Sequence, residues 1–164
     1  MFKIEQFKST PTLIVGLIIT SLIIIVIHLS LSAKNADARI VLLPGDLSVT
    51  KLGKTVYMEN CASCHGAVLE GQANWQQRDS DGYMPAPPHD VSGHTWHHPS
   101  SYLFLMTKYG IEKMIGEKYP NNMPAYENEL TDNEIIAVLS YIKSTWPKPI
   151  QRQHDEISAY ANTQ

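Results

Sequence analysis

Apolar residues follow two different patterns along the chain. Near the N-terminus they form a dense block, and the 25 residues from Ser9 to Ala33 include no Asp, Glu, Lys or Arg. A helix of about 20 residues, each rising roughly 1.5 Å, crosses the roughly 30 Å hydrocarbon core of a bilayer. The block therefore predicts a single transmembrane anchor over residues 12–31, preceded by a short cytoplasmic N-terminus at residues 1–11.

A cleaved secretory signal is the competing interpretation of this block. Lys3 and Lys8 precede it, and the small residues Ala36 and Ala38 follow it as a candidate cleavage site. The apolar stretch is longer than the usual signal core of about 7 to 15 residues, which favours an anchor that is retained. The flanking basic residues, two on each side, do not fix its orientation.

Beyond a linker at residues 32–46, apolar residues recur at helical spacing in three segments. They predict helices over about Ser48 to Cys61, Ser100 to about Ile115, and Thr131 to Thr145. The last of these begins with the pattern of a capping box, from Thr131 to Glu134, and Pro147 ends it. The chain after the anchor is therefore expected to be all-α.

Two segments lack any regular period. The first, residues 66–99, is rich in Gly, Pro, Asp and His and is predicted to be irregular loop. A loop of this length in a small domain usually serves a function. The second, residues 147–164, is polar and is predicted to be an extended strap or a disordered tail.

Charge and cysteine content narrow the choice of partners. Residues 32–164 hold 11 basic and 15 acidic residues, a formal charge of −4, so nucleic acid is not an expected partner. A mildly acidic surface suits docking to basic patches on other proteins. The chain has only two cysteines, three positions apart, which excludes a disulfide framework.

Those cysteines stand in the sequence Cys61-Ala-Ser-Cys64-His65. Two thiols at this spacing with a following histidine form the pattern that attaches one haem c covalently, with the histidine on the iron. A redox dithiol does not need the histidine, and no second pair of cysteines completes a structural zinc site. We therefore expect Cys61 and Cys64 to bind haem and His65 to ligate its iron.

The other ring nitrogen of His65 needs an acceptor, and the carbonyl of Pro87 or Pro85 in the proline-rich loop is the candidate. The sixth iron ligand is predicted to be Met123, which lies in a loop between two helices. Met84, which also precedes a proline, is its rival. A methionine ligand raises the reduction potential, and two filled axial positions favour electron transfer over oxygen chemistry.

Residues 47–146 resemble a class I mono-haem c-type cytochrome of the membrane-anchored bacterial kind. The spacing of Gly53, Tyr57 and Cys61 resembles the family's first helix, and Val138 and Tyr141 resemble its last, where a glycine lets the two helices approach closely. The resemblance implies that Gly53 lies against the last helix and Tyr57 beside Tyr141. It also supports Met123, because a Met-Pro pair follows the haem histidine at a similar distance in the family.

The resemblance further implies an all-α cytochrome c fold around one haem with an exposed porphyrin edge. Haem would be attached outside the cytoplasmic membrane of a bacterium, with the domain on the periplasmic or outer side. The expected function is to carry single electrons between respiratory partner proteins, without catalysis by the polypeptide. A haem subunit of a larger oxidoreductase, and a haem-based redox or gas sensor, remain as alternatives.

The loop before Ser100 departs from the simplest members because it is rich in histidine. One interpretation is a second metal such as copper, bound by imidazoles. The favoured interpretation is a loop along the haem edge, in which the indole of Trp75 or Trp96 donates to a haem propionate. The four histidines concerned are His89, His94, His97 and His98.

Overall fold

The computed structural model describes residues 18–19, 21–26 and 39–164, which belong to two units, residues 1–39 and residues 40–164. In the first unit the described residues are helical, and their large apolar side chains are each more than half exposed. Within the described residues, none of the helices combines the length and the apolar character that a membrane crossing requires. Most of the anchor predicted at residues 12–31 lies outside the described residues.

The second unit is helical, and the part of it that the structure describes, residues 40–164, has no strand. This agrees with the all-α expectation. Its elements are α1 (Leu47–Asn60), α2 (Ala62–His65), a 3-10 turn (Thr95–His97), α3 (Ser100–Tyr109), α4 (Ile111–Ile115), α5 (Asp132–Ser144) and α6 (Lys148–Ala161).

Helices α1 and α5 cross at Gly53. A β-carbon at this position would overlap the carbonyl oxygen of Ala137 and would lie 2.9 Å from the β-carbon of Tyr141. One turn further along, the ring of Tyr57 lies 5.6 Å from that of Tyr141, measured between centroids. Both contacts implied by the family resemblance are therefore confirmed.

The core lies around this crossing and extends to α3. Apolar side chains from α1, α3 and α5 meet there, joined by residues from the loops before and after. The buried members are Leu42, Val56, Tyr57, Leu69, Leu103, Phe104, Ile135, Val138, Leu139, Ile142 and Trp146.

Helices α1 and α5 both begin with a side-chain cap, and the sequence predicts the one at Thr131. Asp46 Oδ1 accepts from the backbone N–H groups of Ser48 and Val49 at 2.8 and 3.1 Å. At α5, the hydroxyl of Thr131 and the carboxylate of Glu134 each accept from the other's backbone N–H, so the capping box is confirmed. These bonds satisfy N–H groups that a helix leaves unpaired at its start.

The helix predicted from Ser100 to about Ile115 is wrong as a single element. Gly110 divides it into α3 and α4, because its backbone has φ 78° and ψ 164°, far from helical values. Its N–H still caps α3 by donating to the carbonyl of Met106 at 2.9 Å. Glycine takes this positive φ without a β-carbon clash, which explains the break.

The extended or disordered tail predicted after Pro147 is also wrong, because residues 148–161 form α6. Pro147 is the N-cap residue of this helix and Pro149 lies in its first turn. The first turn of a helix needs no intrahelical N–H donor, so proline begins a helix there as readily as it ends one. The prediction used only the second of these effects.

The segment just before α1 also differs from a free linker. Ile40 and Leu42 pack on the core, and the backbone N–H of Leu43 donates to the hydroxyl of Ser140 at 2.9 Å. The compact unit therefore begins at residue 40, inside the range of residues 32–46 that the sequence assigns to the linker.

Candidate haem-attachment site

Cys61, Cys64 and His65 share one tight turn. Cys61 is the C-cap of α1 and the N-cap of α2, and its carbonyl accepts from the backbone N–H groups of Cys64 and His65 at 3.1 and 2.9 Å. Cys61 is partly buried, Cys64 is exposed, and neither forms a disulfide. Two free thiols therefore lie within one turn, immediately before the buried histidine.

Burial, with a smaller contribution from the charge of Cys64, raises the pKa of Cys61 to about 11. The Cys61 sulfur is thus a protonated thiol at neutral pH. A reactive redox dithiol has a lowered pKa instead, so the electrostatics of the turn do not favour that alternative.

A buried tyrosine and a glycine hold the turn in place. The hydroxyl of Tyr57, which is fully buried, donates to the carbonyl of Gly66 at 2.8 Å. The N–H of Gly71 donates to the carbonyl of His65, also at 2.8 Å. Burial is the main cause that raises the pKa of Tyr57, so this hydroxyl remains a donor throughout the neutral range.

His65 is 8% exposed, and its Nδ1 lies 2.8 Å from the carbonyl oxygen of Pro87. Because a carbonyl can only accept, the proton lies on Nδ1 and the lone pair on Nε2. Burial lowers the pKa of the ring, which keeps it neutral at pH 7. Nε2 has no hydrogen-bond partner among the residues described, so it is the nitrogen left for a metal.

The proline that the sequence favours as acceptor, Pro87, makes the contact, and Pro85 does not. The three donor groups suit haem c: two thiols on one turn and one neutral imidazole with a single free nitrogen. An Nδ1–H donated to a backbone carbonyl is also the usual arrangement for an imidazole that ligates a metal.

A family model described as Cytochrome c matches residues 50–146, which is more than half of the chain. The chain belongs to the cytochrome c family. No curated protein and no solved structure matches it. As a member of this family the protein binds haem c covalently, and Cys61 and Cys64 are placed as the attaching pair.

The two candidates for the sixth ligand of the cytochrome lie on separate loops. The backbone N–H of Met123 donates to Asn121 Oδ1 at 3.1 Å, which stabilises a turn just before the side chain. Met84 follows Tyr83, whose N–H donates to Asp79 Oδ1 at 2.8 Å. Both methionines are partly buried, so the choice between them stays a prediction.

The Met84 and Met123 loops approach each other at one surface groove. Arg78 joins them, because its guanidinium lies 5.0 Å from the ring centroid of Tyr119 and donates to the Tyr119 hydroxyl at 3.0 Å. The groove is lined by Tyr83, Glu112, Lys118, Tyr119, Pro120 and Asn121. The segments before both methionines are thereby fixed to each other.

The two tryptophans predicted at the haem edge have protein contacts. Trp75 stacks on His94 with centroids 5.3 Å apart, and Trp96 packs on His97. The indole N–H of Trp96 donates to the carbonyl of Val91 at 3.4 Å. Their role toward a propionate stays a prediction.

The four loop histidines are not brought together as a metal site. No group of three or more metal-ligating side chains able to hold an ion occurs within the described residues. His98 stacks on Tyr102, and His94 meets His98 edge-on. The ring of His89 instead stacks on the ring of His65, outside the loop. Sequence analysis missed this contact.

Tyr126 is a second residue that sequence analysis missed. Its hydroxyl donates to the carbonyl of Asn60 at 2.7 Å, directly before Cys61. The signal was its position three residues after Met123, in a loop already assigned to the site. The bond ties the Met123 loop to the attachment turn.

Proposed function

We propose that the chain is a membrane-tethered mono-haem cytochrome that carries single electrons between protein partners outside the cytoplasmic membrane. Membership of the family supports haem-based electron transfer. The membrane tether and the protein partners go beyond that membership and are proposed here. The observation that carries the proposal is the turn that places two thiols beside an imidazole whose only free nitrogen is Nε2.

His65 and Met123 are proposed as the residues that would ligate the haem iron. Haem would supply a one-electron couple, while the turn would orient it and burial keeps His65 neutral. Met123 is supported by two bonds in its loop: the turn at Asn121, and the Tyr126 hydroxyl that joins the loop to the attachment turn. A thioether ligand stabilises ferrous iron and so raises the potential.

Two methionine variants test the ligand assignment in the haem-loaded full chain. Met123→Ala is expected to abolish the iron-to-sulfur absorption band of the oxidised protein, whereas Met84→Ala is expected to retain it. The covalent haem, measured by mass, should be present in both. Loss of the band in Met84→Ala alone would reverse the assignment.

The tether is supported by the uncharged block from Ser9 to Ala33 and by the exposure of its described residues, 18–19 and 21–26. The outer location is proposed because the family that the chain resembles has its haem attached covalently on that side of the membrane. The alternative of a haem subunit in a larger oxidoreductase would be favoured by a tail that orders only on a partner. Residues 148–161 instead form a helix within this chain.

Membrane fractionation of expressing cells tests the tether. An anchored chain stays in the membrane pellet after alkaline extraction, its mass includes residues 1–164 plus one haem, and protease added outside the membrane removes the haem domain. A soluble product whose mass begins after Ala38 would instead show a cleaved signal. A haem domain that resists this protease would lie on the cytoplasmic side, which would contradict the proposal.

A further inference from the structure

The ring of His89 lies directly on the ring of His65. The two centroids are 4.0 Å apart and the planes differ by 23°, which is a stacked arrangement. The ring of His65 makes one hydrogen bond, from Nδ1 to the carbonyl of Pro87 at 2.8 Å. A single hydrogen bond tolerates a range of tilts of the ring plane, whereas a stacked ring restricts that tilt.

His89 can restrict another ring because it is itself held from several sides. Its Nδ1 lies 2.8 Å from the hydroxyl oxygen of Thr95, which is 6% exposed. Its backbone N–H donates to the carbonyl of Leu69 at 2.8 Å. Its carbonyl accepts from the indole N–H of Trp146, also at 2.8 Å.

These three contacts come from separate parts of the fold. Thr95 begins the 3-10 turn, Leu69 lies in the loop after the attachment turn, and Trp146 follows α5. The ring of Tyr57 adds an edge-on contact, with centroids 6.4 Å apart. The position of His89 is therefore determined by the folded domain and not by its own loop alone.

We propose that His89 is a positioning residue that sets the ring plane of His65, and with it the orientation of the imidazole toward the haem. The inference rests on the proposed role of His65 as the iron ligand. Neighbours that orient a ligand tune the metal's electronic state as well as its affinity. Of the histidines near the loop, His89 is the one for which the structure shows this contact.

The test compares His89→Leu and His89→Phe with wild type in the haem-loaded full chain. Leucine removes the flat ring, and phenylalanine restores a ring without the Thr95 contact. The readouts are the g values of the ferric low-spin iron and the proton shifts of the haem methyl groups, which respond to the plane of the axial imidazole. His97→Leu is the matched control, because His97 is exposed in the same loop and packs on Trp96.

We expect His89→Leu to shift the highest g value and to change the spread of the methyl resonances. His89→Phe should return both towards wild type, and His97→Leu should leave both unchanged. A purely structural role would lower the stability of His89→Leu without moving these signals, and that result would overturn the proposal. So would an equal shift in His97→Leu.

Thr95→Val tests the proposal if the His89→Leu protein does not fold and accumulate in cells. It keeps the shape of the side chain and the His89 ring but removes the hydroxyl, so a smaller displacement of the same signals is expected. Unchanged signals in Thr95→Val would then reject the proposal. Failure of the ligand assignment would be seen separately, since wild type itself would lack a histidine-ligated low-spin spectrum.

Discussion

Two helix contacts on α5 hold the domain together, and they differ in chemistry. On one side α1 crosses α5 so closely that Gly53 has no space for a side chain. On the other side, buried polar groups join α6 to the end of α5, among them His154 at 0% exposure and Lys143 at 2%. The first contact should therefore respond to added volume, and the second to changes of charge and pH.

Gly53→Ala is expected to have the largest effect. In an exposed helix the change would stabilise the protein by about 1 kcal/mol, because alanine favours the helix. At Gly53 the added β-carbon would overlap the backbone of Ala137, which cannot rotate away as a side chain would. The sign should reverse, with a loss of about 3 kcal/mol or more in the free energy of unfolding.

Urea unfolding of the haem-loaded chain measures this loss. Gly45→Ala is the matched control, because a β-carbon there would meet nothing within 4 Å. Its stability should stay within about 0.5 kcal/mol of wild type. Similar losses in both variants would show that the crossing is not close-packed.

The crossing could be predicted because the spacing of Gly53, Tyr57 and Tyr141 resembles the pattern of the family, and these residues lie where that resemblance places them. The spacing alone does not say which two helices meet, so this prediction used the known fold of the family. The capping box at Thr131 is different, because it depends only on residues within one turn. It could be predicted from the local sequence without any tertiary information.

Acid should weaken the packing of α6, because His154 is buried there as a neutral imidazole. Burial, and next to it the positive charge of Lys143, lowers the pKa of His154 to about 4, against about 6.5 in an unfolded chain. Between these values the unfolded state binds more protons. Stability is therefore greatest above pH 6.5 and falls as the pH drops towards 4, by up to about 3 kcal/mol.

His154→Leu isolates this contribution. Neither ring nitrogen of His154 has a hydrogen-bond partner among the residues described, so leucine removes an unsatisfied polar group. The variant should match or exceed wild type in stability at about pH 7, and its advantage should grow as the pH falls to about 4. An advantage that does not change with pH would show that His154 is not the titrating group.

Sequence analysis missed α6 for a physical reason. Its buried face includes Gln151 and His154, polar residues that hydrophobic periodicity counts as exposed. Their contacts are long-range or depend on a single bond, such as Gln151 Nε2 donating to the carbonyl of Trp146 at 2.8 Å. The buried face therefore offers few apolar residues, and Pro147 and Pro149 at the start of the segment favoured a non-helical prediction.

Asp155→Asn should have an intermediate effect. Asp155 pairs with Lys143, whose ammonium group is buried, while the aspartate side chain is 66% exposed. Removing the carboxylate leaves a buried cation with weaker compensation, at a cost of about 2 kcal/mol, less than for a pair buried on both sides. Thermal unfolding of the haem-loaded chain measures it.

Lys143→Met is the companion variant for this pair. It removes the buried charge together with the need for a partner, so it should cost less than Asp155→Asn. It should also reduce the loss of stability in acid, because Lys143 is one cause of the lowered pKa of His154. If Lys143→Met is the more damaging of the two, then packing of the lysine's methylene groups contributes more to stability than its charge does.

Some contacts of the attachment site could be predicted from the sequence and others could not. Cys61, Cys64 and His65 are adjacent in sequence, and a short motif contains their whole chemistry. The carbonyl of Pro87 was one of two candidate acceptors for His65, and the structure shows the hydrogen bond from His65 Nδ1 to it. The stack of His89 on His65 could not be predicted, because it depends on Trp146, 57 residues further along the chain.

Ser158→Ala is expected to have the smallest measurable effect, and it tests how far α6 stabilises its neighbours. Pro99, the N-cap residue of α3, has no side-chain acceptor, and Ser158 Oγ from α6 accepts from the backbone N–H of Ser100 at 3.0 Å instead. Loss of a cap of this kind costs about 1 kcal/mol. Ser101→Ala, in the same first turn, should cost almost nothing. Equal stabilities of the two variants would show that water replaces Ser158, and that α6 is attached through His154 and Lys143 without capping α3.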